Sequence, residues 1–468
     1  MNKKRVIQGI DNFKKLIDNN GYYVDKTLLI KELIDRPDQI VLITRPRRFG
    51  KTLNMSMLKY FFELPECRQY DFEDEDVNYL FSNLNIFNAG EKYKNEFSKY
   101  PVVYLTFKNA KQNNWNDTYE NLKETIANEY KRHRYLLDSD VLSQSEKKVF
   151  NKIMDLEGSK VQYTNVIINL TKYLKRYFKK DCYVIIDEYD TPIQAGYIEG
   201  YFKEITEFMK SVLVKGFKDN ISLKQGILTG IMKVAQESIF SDFNNPLVCT
   251  ILTEEFKDMF GFTEYEVEKM AHYLGLSNHL PDIKTWYNGY IFGIDTVIYN
   301  PWSISKYMYN PINGLRAYWS NTSDNRIIKE VLQLDKLEGR KTVEKLIKGE
   351  AVEKELEENV VYQNIKTNPD VAWSFLTHAG YLKSYDRQQK RLKFSYKLEI
   401  PNLEIQTIYE DMIINYLKDD EKILGDVEYI IESLMNNDIE SFERLLKDLY
   451  LSQVSFHDTR DIKEREQK

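Results

Sequence analysis

The feature that most constrains this chain is a short apolar, β-branched run, Gln39-Ile-Val-Leu-Ile-Thr44, followed by Gly50-Lys51-Thr52 and then by apolar residues at helical spacing. The run suits a strand buried on both faces of a parallel sheet. Leu53, Met57, Leu58, Phe61 and Phe62 fall on one side of a 3.6-residue helix. A glycine-bearing turn between such a strand and helix aims backbone N–H groups and the helix N-terminus at one point, where Lys51 adds the charge that complements a phosphate. Thr52 then offers its hydroxyl to Mg2+. The general pattern, Gly-x-x-x-x-Gly-Lys-Ser/Thr, has glycine where this sequence has Arg45. On the tripeptide alone, an ordinary strand-to-helix turn is an equal reading.

A second constellation shifts that balance. Tyr183-Val-Ile-Ile186 is an apolar strand candidate that runs into Asp187-Glu188. In a parallel sheet the C-terminal ends of both strands lie on one edge, so the two features face the same ligand. There Asp187 orients the water shell of Mg2+ and Glu188 polarises an attacking water. The structural alternative is a solvated turn, with Asp190 or Thr191 capping the helix that opens at Pro192. A further strand candidate, Val102 to Phe107, lies between the two in sequence and points to the P-loop ATPases in which a glutamate activates water. Thr229, closing Ile227-Leu-Thr-Gly230, is the candidate polar sensor, or simply a β-former. Arg45, Arg47 and Arg48 either surround phosphates or pair with acidic neighbours.

Strands alternating with helices predict an α/β fold, a P-loop NTPase parallel sheet with helices on both faces, over residues 1–253. Helix-like segments over 254–365 read as a lid. Residues 366–400 read as a winged-helix-like unit: a helix Val371 to His378, then strands Tyr381 to Tyr385 and Arg391 to Leu398 about a polar turn, Asp386 to Lys390. Residues 401–468 read as C-terminal helices. With Lys+Arg 66 against Asp+Glu 72, attraction of the whole protein to nucleic acid is not indicated. The hairpin cations Lys383, Arg387, Lys390, Arg391, Lys393 and Lys397 either meet a DNA backbone or decorate a solvated hairpin. Cys67, Cys182 and Cys249 fit neither a disulfide framework nor zinc spacing, which predicts a reducing, cytoplasmic setting. No stretch approaches the roughly 20 apolar residues of a membrane span, so no membrane partner is expected.

The sequence resembles the bacterial AAA-ATPase-like proteins, relatives of the ORC and STAND groups of P-loop ATPases. The resemblance rests on Tyr22-Tyr-Val-Asp25-Lys-Thr27, Arg45-Pro46-Arg47-Arg48-Phe49-Gly50-Lys51-Thr52, Ile185-Ile-Asp-Glu-Tyr-Asp190 and Leu228-Thr-Gly230 with Glu237-Ser-Ile-Phe-Ser241. It continues through Gly261-Phe-Thr-Glu264, Trp286-Tyr-Asn-Gly289, Tyr299-Asn-Pro-Trp302, Tyr318-Trp319 and Asn321-Thr-Ser323. It implies that Arg45 through Thr52 form the nucleotide loop in place of a first glycine, and that Thr52 and Asp187 hold Mg2+ with Glu188 as the water-activating group. Many members carry a C-terminal PD-(D/E)XK nuclease. Here the tail Asp461 to Lys468 lacks strand context, so the chain is expected to stop short of a nuclease core and to cut no DNA.

The function expected is ATP binding with Mg2+, with hydrolysis driving a conformational switch. The alternative is a non-hydrolysing nucleotide-gated module, or a DNA-associated switch partnering a separate nuclease. A protein client and further copies of the chain are the other candidate partners, and Arg326 is a candidate arginine finger.

Overall fold

The computed structural model describes residues 3–68, 76–234, 246–319, 338–357, 359–360, 364, 368–390, 393–419 and 429–453. Its strands are β1 Ile40–Thr44, β2 Val102–Thr106, β3 Cys182–Asp187, β4 Leu223–Gly230, β5 Lys233–Val234, β6 Leu247–Cys249, β7 Phe262–Thr263, β8 Tyr290–Phe292, β9 Thr296–Tyr299, β10 Val352–Glu355, β11 Asn359–Val360, β12 Lys383–Lys390 and β13 Lys393–Glu399. The chain divides into two units, Met1–Ile405 and Gln406–Lys468.

Within the first unit the principal sheet has the order β2-β3-β4-β1-β6, with every pairing parallel. All five residues of β1 and all six of β3 are buried, as continuous apolar runs require when both faces are covered. On one face Val41, Ile43, Tyr183, Ile185 and Ile227 pack with Met55, Leu58, Phe61 and Phe62 of the helix Lys51–Phe62. On the other, Val103 and Leu105 line a small cavity with Ile126 and Tyr130 of helix Trp115–Arg132 and with Val166, Ile167 and Leu170 of helix Val166–Phe178. Helices therefore cover both faces, as expected. Gly226 is required on that second face: a Cβ there would stand 2.4 Å from the Phe217 ring.

Strand β6 went unread in the sequence because it is three residues long. The free edge of β2 is blocked by one helix. Glu129 accepts from the Tyr104 N–H at 2.9 Å, and Arg132 donates to the Val102 carbonyl at 2.6 Å.

Beyond the sheet, helices Glu264–Leu274, Leu280–Tyr287 and Pro301–Tyr309 share an apolar core. The region read as mainly helical, with an interruption over Trp286 to Trp302, also contains an antiparallel sheet, β7-β9-β8, whose strands are too short to carry an alternation signal. Farther on, helix Pro369–Ala379 precedes the antiparallel sheet β10-β13-β12. The expected turn Asp386 to Lys390 is instead strand. Left-handed Asp386 and a register shift between Tyr385 and Gln388 absorb the polar residues as a bulge, and pairing runs on to Lys390 opposite Lys393. The second unit contains helix Ile439–Gln453, with Ile431, Leu434, Met435 and Ile439 exposed. Among the described residues no helix is long and apolar enough to cross a membrane.

Candidate functional site

The loop after β1 closes around Lys51. Its ammonium is buried and donates to the carbonyls of Arg45 and Pro46, both at 2.9 Å. Burial lowers the lysine pKa, while Glu188, Asp190 and Asp187 pull it back up. Gly50 sits at φ +84°, and a Cβ there would meet nothing within 4 Å. Its left-handed backbone, rather than crowding, is what calls for glycine, and the space beside it is open to a ligand.

The carboxylates arrive at the same edge because β3 and β1 both run parallel to β4, which lies between them in the sheet. Asp187 is fully buried, and its Oδ1 accepts from Thr229 Oγ1 at 2.8 Å. Burial and the neighbouring Glu188 push its pKa up to about 6, against the hydrogen bonds of Thr229 and Thr52 and the charge of Lys51. Glu188 occupies φ +52°, an uncommon conformation for a side chain of its size, and accepts from Thr191 Oγ1 at 3.2 Å. Lys51, Thr52, Asp187, Glu188 and Thr229 thus form one cluster at the C-terminal edge of the sheet.

Among known proteins, the model of the family described as "Predicted AAA-ATPase" matches residues 7–240, which contain this entire cluster. The chain belongs to that family. It is also similar to a protein described as "Uncharacterized protein in vnfD 5'region" from Azotobacter chroococcum mcd 1. That protein is 22% identical over 457 residues, 97% of this chain and 78% of its relative.

The arginines of this AAA-ATPase-family loop separate by role. Arg45 is fully buried and donates to the carbonyls of Thr44 (2.8 Å), Cys249 (2.9 Å), Glu255 (3.2 Å) and Phe256 (2.9 Å). Its side chain binds main chain rather than acidic neighbours, and only its carbonyl faces Lys51. Arg47 donates to Gln194 Oε1 at 2.7 Å, and its carbonyl accepts from Trp319 Nε1 at 3.3 Å. Arg48 lies over the Trp302 ring, 4.4 Å from its centroid. Phe49 packs edge-on against Tyr290, while Pro46 lies so close to Gly380 that a Cβ there would be 2.9 Å away.

Asp190, with Thr191 the alternative cap for the following helix, makes no side-chain capping hydrogen bond. Its Oδ2 instead accepts from the Ile231 and Met232 N–H groups at 2.7 and 3.2 Å, and burial pushes its pKa up to about 6. That fastens the turn after β4 beside the cluster. The Tyr22 to Thr27 segment has a tying role too, since Lys26 donates to Glu266 and to the Asp258 carbonyl, each at 2.6 Å. Arg326, Glu237 to Ser241 and Asn321 to Ser323 lie outside the described residues.

Sequence reading missed Glu404. Its fully buried carboxylate accepts from Ser303 Oγ at 2.7 and 2.9 Å and from the Trp319 N–H at 2.9 Å, so one side chain holds both the Trp302 helix and Trp319. Burial pushes its pKa from 4.5 up to about 7. A carboxyl raised in this way favours folding when protonated. Its contribution is complete below about 4.5, the unfolded value, and is lost as pH climbs through about 7. Asp187 and Asp190 add slopes of the same sign. Urea unfolding should therefore show stability falling between pH 5 and 8, with Glu404→Gln removing about 2–3 kcal/mol of that fall. Parallel pH profiles for the two proteins would refute this.

Proposed function

We propose that this chain binds ATP with Mg2+ at Gly50-Lys51-Thr52 and hydrolyses it, using Glu188 to activate water, to switch the conformation of the region beyond β6. The observation that carries the reading is the convergence of a buried Lys51 with Asp187, Glu188 and Thr229 at one sheet edge. The donor set fits Mg2+: the Thr52 hydroxyl acts on Asp187, and that carboxylate is buried with more negative charge nearby than one lysine offsets. Thr52 and Asp187 would hold Mg2+, which would supply positive charge against the negative charge that develops during phosphoryl transfer. Lys51 exchanges its two loop carbonyls for phosphate oxygens. Thr229 holds Asp187 in orientation. Glu188, the outermost carboxylate of the group, takes the proton of the attacking water.

The test is binding and turnover measured together. Lys51→Ala is expected to abolish Mg2+-dependent phosphate release and to weaken ATP binding at least ten-fold, of the order expected for one charged phosphate contact. An unsubstituted chain that retains ATP without turnover would instead be a nucleotide-gated module, and one that binds no nucleotide sinks the proposal. A DNA role has less support. Lys383, Lys390, Lys393 and Lys397 pair with Glu399, Glu353, Glu355 and Asp386, and a phosphate backbone would have to displace those partners.

A further inference from the structure

Arg48 stands apart from the other cations of the loop. Arg45 is engaged by four carbonyls, Arg47 by Gln194 and Lys51 by two carbonyls, whereas the guanidinium of Arg48 has no hydrogen-bond partner among the described residues. It is exposed and rests on the Trp302 ring. Its backbone is left-handed, at φ +69°, in a non-glycine residue of the phosphate loop itself. Glu188 and, more weakly, Asp11 are the opposite charges that act on it. Five N–H donors are therefore presented beside the place where phosphates would lie, held there by a ring contact alone.

Trp302 belongs to the lid. Asn300 Oδ1 caps its N–H at 2.9 Å, the next residue, Ser303, is gripped by Glu404, and Lys306 also lies over the ring, at 4.7 Å. Lys306 is itself bonded to Gln8. If Arg48 leaves, the ring keeps one cation while the phosphate loop loses its tie to the helix Pro301–Tyr309.

We infer that Arg48 is a phosphate-sensing latch: it rests on Trp302 and is drawn from the ring to a nucleotide phosphate when nucleotide binds the loop, releasing the lid helix. A bidentate, charge-assisted bond to phosphate outweighs a stack on a partly exposed ring, which sets the direction of the exchange. The inference rests on the nucleotide-site reading and adds to it the coupling of that site to the lid. Because the stack competes with phosphate, weakening it must tighten nucleotide binding.

The test is a double-mutant cycle read by calorimetry with a non-hydrolysable ATP analogue and Mg2+. Trp302→Leu is expected to bind about two- to five-fold more tightly than the unsubstituted chain. Trp302→Phe, which keeps a ring of weaker cation affinity, should shift the same way by less. In an Arg48→Gln background, itself expected to bind about ten-fold more weakly, neither Trp302 substitution should change the affinity. Unchanged or weaker binding by both Trp302 variants overturns the latch, as does an equal shift with and without Arg48. Failure of the unsubstituted chain to bind the analogue would instead overturn the nucleotide site on which the latch depends.

Discussion

Glu188→Gln is expected to retain ATP at close to the unsubstituted affinity while Mg2+-dependent phosphate release falls about 10²–10⁴-fold, the range for loss of a general base. The amide has the shape of the carboxyl and its oxygen still accepts from Thr191, so the left-handed turn at φ +52° has its hydrogen bond preserved. What is lost is proton affinity. The same change at the neighbouring position acts differently: Asp187→Asn removes a buried carboxylate assigned to Mg2+, so affinity and turnover should fall together. Equilibrium binding and single-turnover phosphate release separate the two cases. Release by Glu188→Gln within about five-fold of the unsubstituted rate would remove Glu188 from the general-base role.

How much of this was legible in the sequence depends on how local each interaction is. The strand, loop and helix around Gly50-Lys51-Thr52 were readable because hydrophobic period and turn chemistry operate within a few residues, and the observed helix begins at Lys51. The meeting of Lys51 with Asp187 was readable through one topological rule about parallel sheets. Asp190 was not, since an aspartate before a helix reads as a cap, and only the fold turns it toward Ile231 and Met232 instead. Nor was the Trp302 contact. An aromatic residue after Asn-Pro signals a helix start, and nothing local to it says which cation will lie on its face. Glu404 was invisible for the same reason: a glutamate at a helix start reads as a solvated first-turn acid, while its partners Ser303 and Trp319 come from elsewhere in the chain.

Arg45→Gly, which would restore the usual first glycine of the phosphate loop, is expected to destabilise the protein by about 3–5 kcal/mol rather than to improve the site. The loop does not need glycine there, because its left-handed backbone positions are Arg48 and Gly50. The Arg45 guanidinium lies over the Phe260 and Phe292 rings and donates to four carbonyls, which include Cys249 at the end of β6 and the Glu255 and Phe256 turn beyond it. Deleting it leaves a cavity and strands several buried acceptors, each costing about 1–3 kcal/mol when unsatisfied. An opposing gain comes from no longer burying a cation whose pKa burial has already pushed down to about 10. Acceptors outnumber that one charge, so the sign remains destabilising. Arg48→Gly is the matched control. It relieves a left-handed non-glycine residue and removes one exposed ring stack, two opposing effects of about 1 kcal/mol each. Thermal unfolding should thus fall by roughly 3–5 °C for Arg45→Gly and stay within about 1 °C for Arg48→Gly. If Arg45→Gly unfolds with the unsubstituted protein, the guanidinium does not fasten β6 to the sheet, and the departure from glycine at this position has no structural cause.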